Sequence, residues 1–189
     1  MRYRYDEKEI IFLTKEDMKM GAKDNYNSEL NLLLEKAIGR IKQENPHFII
    51  YTASIWTDRD AKTSGINFDS KANSSQMIEK ANEYNKKYYD KYLAEGEFEL
   101  AEGFKPRKQI RFCNPSDFEL ADFEMIEHTF VPSKWYPALI KFGKYAFFKI
   151  ITELNVEKEN FEFGINSAKD WYDKVWNIKD FDLNTLPRK

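Results

Sequence analysis

Histidine and cysteine, the side chains most used for nucleophilic and metal chemistry, are scarce in this chain: His47, His128 and Cys113 are all it has. With one cysteine the usual Cys/His zinc sites cannot be assembled, and no paired-histidine metalloprotease helix is present. Cys113 and His128 could meet in a fold as a nucleophile and its base. Cys113, however, stands beside aromatics at an expected strand end, where a thiol packs as a small apolar group, and that reading outweighs the catalytic one. His47 follows Pro46 and reads as a loop residue. The seven glycines are dispersed, no two closer than seven positions, so no clustered loop lets the backbone approach a phosphate. No G-x-S-x-G elbow supports a hydrolase of that class. These motifs call for no cofactor and no metal.

The carboxylates are more numerous and more suggestive. Asp58 and Asp60 flank Arg59 and could hold a hard cation, but no further ligand is spaced nearby, and aspartate favours turns on its own account. With Glu83 they leave room for an acid–base enzyme whose site assembles only in the fold. Lys105, Arg107, Lys108 and Arg111 form a basic cluster. Asp117, Glu119, Asp122, Glu124 and Glu127 form an acidic run without an intervening lysine or arginine. If the two segments pair as a hairpin, opposite charges face each other and contribute about 0.2–1 kcal/mol per pair. The sharper reading has the acidic strand facing a basic partner, such as a nucleic-acid-degrading toxin, with charge complementarity steering association. Tyr84, Tyr88 and Tyr92, with neighbouring Tyr89, make a stripe at helical spacing. Tyrosine is enriched at interfaces, so Tyr88 and Tyr89 are candidate contacts, although such a stripe more often packs on a sheet. Trp171 and Trp176 are read in the same way, as core.

The elements that must position these groups follow from periodicity. Leu30, Leu33, Leu34, Ala37, Ile38 and Ile41 mark one face of a helix over 28–43, ended before Pro46. Residues 48–57 read as a central strand covered on both faces, with 63–68 as its hairpin partner after the Asp58–Arg59–Asp60 turn. Asn73 and Gln76 have capping-box spacing for a helix to Glu95, closed by Gly96. A second hairpin joins 108–113 to 118–127 across a turn at 114–117, and a parity switch at Ala121–Asp122 suggests a bulge. Pro137 opens a buried helix reaching Leu154. A short strand at 161–165 and a last helix capped by Ser167 and Asp170 complete the order. The pattern argues for an α+β fold: a mixed, largely antiparallel sheet with hairpins, and helices packed on it. The expected organisation is an N-terminal arm over 1–27 carrying a short helix near Thr14–Asp17, one domain over 28–179, and a tail over 180–189.

Composition narrows the function classes. The net charge of −2 gives no global basic footprint for nucleic acid. One cysteine fits a reducing compartment, and neither a signal-peptide core nor a bilayer-length apolar run is seen, so a cytoplasmic protein is expected. Three segments carry a resemblance: 30–56 with the turn after it, the stretch Ile110–Arg111–Phe112–Cys113–Asn114–Pro115–Ser116–Asp117–Phe118, and the helix over 138–154. In order and character they resemble a bacterial domain-of-unknown-function family, some relatives of which are thought to be immunity proteins encoded beside polymorphic toxins. The resemblance implies a bacterial cytoplasmic α+β protein that binds another protein, and it supplies no site residues. The expectation is therefore a protein-binding module of the immunity or antitoxin-like kind, with Asp117, Glu119, Asp122, Glu124, Glu127, Tyr88 and Tyr89 as contacts. The alternatives are an enzyme with a dispersed carboxylate site and a subunit of a larger assembly.

Overall fold

The computed structural model of the protein describes residues 25–129 and 134–181. The expected arm lies outside them except for Asn25, Tyr26 and Asn27, and the expected tail except for Asp180 and Phe181.

Helix α1 (Asn25–Glu44) buries Leu30, Leu33, Leu34, Ala37, Ile38 and Ile41, the stripe read from the sequence, and adds Tyr26 one turn earlier. Strands β1 (Thr52–Thr57) and β2 (Thr63–Asp69) form the expected antiparallel hairpin. Its turn is held by Asp58, whose Oδ1 accepts from the Lys62 N–H at 2.6 Å. The chain then leaves the sheet. Helix α2 (Lys71–Ala94) and the short α3 (Phe98–Gly103) pack on each other, and the segment after them returns through a 3-10 turn at Pro115–Asp117. Strand β3 (Leu120–Glu127) pairs antiparallel with β2. Helix α4 (Trp135–Glu153) leads to β4 (Glu162–Ile165), parallel to β1, and β5 (Lys174–Asn177) closes antiparallel to β4. The five-stranded sheet has the order β3-β2-β1-β4-β5, an α+β architecture with a mixed, mostly antiparallel sheet. Among the described residues no helix is long and apolar enough to cross a membrane.

One face of the sheet carries the core. Ala53, Ile55, Ile66, Phe68, Phe163, Ile165 and Trp176 join the buried stripe of α1 and Leu139, Phe142, Ala146, Phe147 and Ile150 of α4 in one cluster. Each large side chain so buried stabilises by about 1.5–3 kcal/mol. Lys149 bridges Glu35 of α1 and Glu153 of α4 across the outside of this layer. The register between β2 and β3 shifts between Ile66 and Phe68, and Asp122 adopts φ 45°, the bulge that the parity switch suggested. The bulge brings Phe123 to the core face, edge-on to Phe68 at 5.7 Å.

Four local expectations are corrected. Residues 108–113 form no strand, so β3 pairs with β2 and the expected second hairpin does not exist; Ile110 is 86% exposed while Arg111 is buried. Helix α2 is capped by Ser70, whose Oγ accepts from Asn73 N; the Asn73 side chain instead donates to Asp69 Oδ1 and the Asp117 carbonyl. The closure at Gly96 holds: it sits at φ 77°, and bonds from its own N–H to Leu93 O and from Glu97 N to Tyr92 O complete a Schellman cap. The expected last helix is β5, because Ser167 Oγ accepts from Lys169 N and Asp170 N in a turn that reverses the chain onto β4. Finally, the tyrosine stripe does not pack on the sheet. Ser74 alone is buried in α2, and Tyr84, Tyr88 and Tyr92 gather around Phe104 instead.

Candidate functional site

The face of the sheet turned away from α1 and α4 is built from small and polar residues. Thr52, Ser54 and Trp56 of β1 stand opposite Asp69, Asn67 and Gly65 of β2, and Thr52 and Ser54 opposite Glu162 and Gly164 of β4. Two glycines here make room for rings. A Cβ on Gly65 would meet the Trp56 indole at 2.7 Å, and a Cβ on Gly164 would collide with the Tyr172 ring. The rings therefore lie flat across the neighbouring strand.

Arg111 pins the returning segment onto this face. Its guanidinium donates to the Tyr51 carbonyl at 2.7 Å, to Thr52 Oγ1 and to the Asn160 carbonyl. It lies 3.8 Å from the centroid of the Tyr51 ring, and its Nε is 3.4 Å from Glu162 Oε1. Glu162 also accepts from Tyr172 Oη at 3.0 Å and Asn177 Nδ2 at 3.1 Å. Burial, reinforced by the Glu162 charge, raises the Tyr172 phenol well above its ordinary value. Asp69 is fully buried: Oδ1 accepts from Asn73 Nδ2 and Glu119 N, while Oδ2 finds no partner among the described residues. Desolvation accordingly raises its carboxyl pKa.

At one end of this face a cleft of about 280 Å³ opens, lined by Trp56, Asn67, Asn114, Pro115, Ser116, Asp122 and Trp171. Trp56 and Trp171 meet nearly at right angles, centroids 6.4 Å apart, and Trp171 is 61% exposed. The Trp56 indole N–H donates to Asp122 Oδ1 at 3.0 Å, and Asp122 N donates to Asn67 Oδ1 at 2.7 Å. Asn67 in turn donates to Ser54 Oγ at 3.0 Å, so the floor is rigid and hydrogen-bonded.

A second constellation lies at the edge of the core. Ser64 Oγ is 2.7 Å from His128 Nε2, and His128 Nδ1 is 2.9 Å from Glu29 Oε2. Ser64 Oγ also meets Thr57 Oγ1 at 2.6 Å, which meets Tyr26 Oη at 2.9 Å. Burial pushes the Tyr26 phenol up to about 12. Burial also opposes ionisation of Glu29, but hydrogen bonds from Thr129 and His128 outweigh it and hold the carboxyl below its ordinary value. The spacing is that of a serine–histidine–acid triad. Ser64 and the His128 side chain are, however, fully enclosed, so this relay joins α1, β1, β2 and the end of β3 as a structural tie.

The acidic run read from the sequence is not one surface. Asp122 lines the cleft, and Asp117 is bonded to Asn114 at its rim. Glu127 is exposed opposite Thr63, on the side of β3 that also carries Met125. Glu119 accepts from Ser70 Oγ. Glu124 turns to the core side and is held by Arg40 at 2.8 Å. Tyr88 and Tyr89 are half-buried on α2, Tyr88 being some 22 Å along the helix axis from Asn73. The Cys113–His128 pair is not formed, since both His128 nitrogens are engaged by Ser64 and Glu29. Desolvation, then the Glu162 charge, pushes the Cys113 thiol up to about 11, which removes thiolate character at neutral pH. Asp58 serves its turn, Asp60 faces Lys62 at 3.6 Å, and Glu83 is exposed on α2. Among the described residues no group of three or more His, Cys, Asp or Glu side chains converges to hold a metal ion.

Sequence reasoning missed Trp171 as a surface group, Trp56 as a cleft wall, and the partnership of Ser64 with His128 and Glu29. Only the Trp56–Gly65 pair left a trace, an aromatic and a glycine placed opposite each other by the hairpin register. Comparison with protein-family models, with curated proteins and with solved structures finds no match to this chain.

Proposed function

We propose that the protein is a binding module for a basic protein partner, engaged through the Trp56–Trp171 cleft and the exposed side of β3 beside it. In its most concrete form it is an immunity or antitoxin-like inhibitor that covers a toxin's active cleft. The observation that carries this reading is the juxtaposition of an exposed tryptophan with Asp122 and Asp117 over a rigid floor; Met125 and Glu127 continue the same side of β3. Exposed aromatic anchors beside acidic groups suit a basic surface, with the aromatics supplying affinity and the charges steering the encounter. The α2–α3 hairpin exposes more apolar surface, Phe98, Leu100 and Tyr84 among it, but nothing on it selects a partner.

The test is co-expression with the product of the neighbouring gene, scoring complex formation and growth. The expected result is a complex that salt loosens and that Asp117→Lys with Glu127→Lys weakens. Absence of a complex, or a complex indifferent to salt and to charge reversal, overturns the reading.

A further inference from the structure

We propose that the tryptophan cleft is a socket for an arginine side chain. This deepens the reading above and rests on it for the origin of the arginine, a basic protein partner. The two indoles form nearly perpendicular walls whose π faces are electronegative, and Asp122, hydrogen-bonded to the Trp56 indole N–H, adds a formal charge to the lining. Asp122 Oδ1 is occupied by the Trp56 N–H; no hydrogen bond among the described residues uses Oδ2. The rest of the lining, Asn67, Asn114, Pro115 and Ser116, carries no charge, and among the described residues no lysine or arginine lines the cleft. A cation is the complementary occupant.

Guanidinium fits this chemistry better than ammonium. It is planar, weakly hydrated, stacks on an aromatic face and keeps N–H donors in its plane for a carboxylate. The volume, about 280 Å³, falls below the roughly 300–1,000 Å³ typical of sites for drug-sized ligands, and so suits one side chain. Trp171 is open to solvent on one side, which admits a side chain standing out from a protein surface. Asp122 occupies the bulge at φ 45°, where aspartate and asparagine are among the few tolerated residues, so its carboxylate is aimed by the backbone itself.

The experiment titrates acetyl-Gly-Arg-Gly amide into the full chain and follows the indole N–H resonances and tryptophan fluorescence. The isosteric citrulline peptide, the lysine peptide, tetramethylammonium and glucose form the comparison arms. The arginine peptide is expected to give a saturable shift of Trp56 and Trp171 while buried Trp176 stays unmoved. Citrulline should bind at least about tenfold more weakly, with the lysine peptide in between. Asp122→Asn, which keeps the left-handed backbone, and Trp171→Ala should each reduce affinity about tenfold or more with little change in melting temperature. An equal response to citrulline, tetramethylammonium or glucose, indifference to both substitutions, or no saturable response to the arginine peptide at tens of millimolar overturns the socket. The two proposals fail separately. Peptide binding without a protein complex removes the partner reading and leaves the socket. A complex without a peptide response removes the socket and leaves the partner reading.

Discussion

On the helix-covered face of the sheet, Ile55, Ile66, Phe68, Phe163 and Ile165 meet α1 and α4 through apolar contact alone. On the opposite face, Thr52, Ser54, Asn67 and Asp69 are buried just as deeply, yet every one of them is joined to a neighbour by hydrogen bonds. Apolar packing is non-directional and tolerates swaps that conserve volume. A buried polar network is directional, and each member removed strands its partner. The difference teaches where the fold spends its stability and where it fixes geometry. The first face holds the molecule together. The second holds Trp56, Asp122 and the returning segment in one arrangement, at the end where the cleft opens. Departures from simple core packing of this kind are expected at functional sites.

Substitutions on the two faces should break the comparison in different ways. Phe147→Ala empties a fully buried site stacked on Phe161 and should cost about 4 kcal/mol, read by chemical denaturation. Arg111→Met leaves the half-buried Glu162 without its cation and should cost about 3 kcal/mol, but adding Glu162→Gln should recover much of that loss. No second substitution should rescue Phe147→Ala so simply. Ser64→Ala strands His128 Nε2 and should cost about 1–2 kcal/mol in the same assay.

Asp69 sharpens the contrast through pH. A native pKa raised above the unfolded value of 3.8 means that the folded state holds the proton more tightly. Its contribution to stability is then fully present below 3.8 and is lost as pH rises through the native value. Asp69→Asn should flatten that part of the stability–pH curve and raise stability at neutral pH by up to about 1 kcal/mol. Trp171→Ala should have the smallest effect on stability, within about 0.5 kcal/mol, because the ring is largely exposed.

The first face was legible in the sequence because helical and strand periodicities are local. The α1 stripe, the β1–β2 hairpin, the bulge at Asp122 and the α4 face all follow from spacing within a dozen or so residues. The second face was not, because its partners lie far apart in the chain. Arg111 reaches Tyr51 and Asn160, and Trp171 reaches Trp56. Alternation over 108–113 imitated a strand, and Ile110 with Phe112 pointed to the wrong side, since the buried group there is the arginine. Ser167 and Asp170 carried a helix-cap signature that a simple turn uses equally well, so Trp171 was assigned to a core helix it does not belong to. Within the acidic run, spacing alone could not separate Glu124, tied to Arg40, from Asp122 in the cleft.

The most direct test of the central claim is amide hydrogen exchange on the chain alone and in complex with the neighbouring gene's product. The account predicts new protection over 114–122 and 166–173, the segments that carry the cleft, with the outer surfaces of α1 and α4 unchanged. Protection confined to the α2–α3 hairpin or to those outer helix surfaces would contradict it.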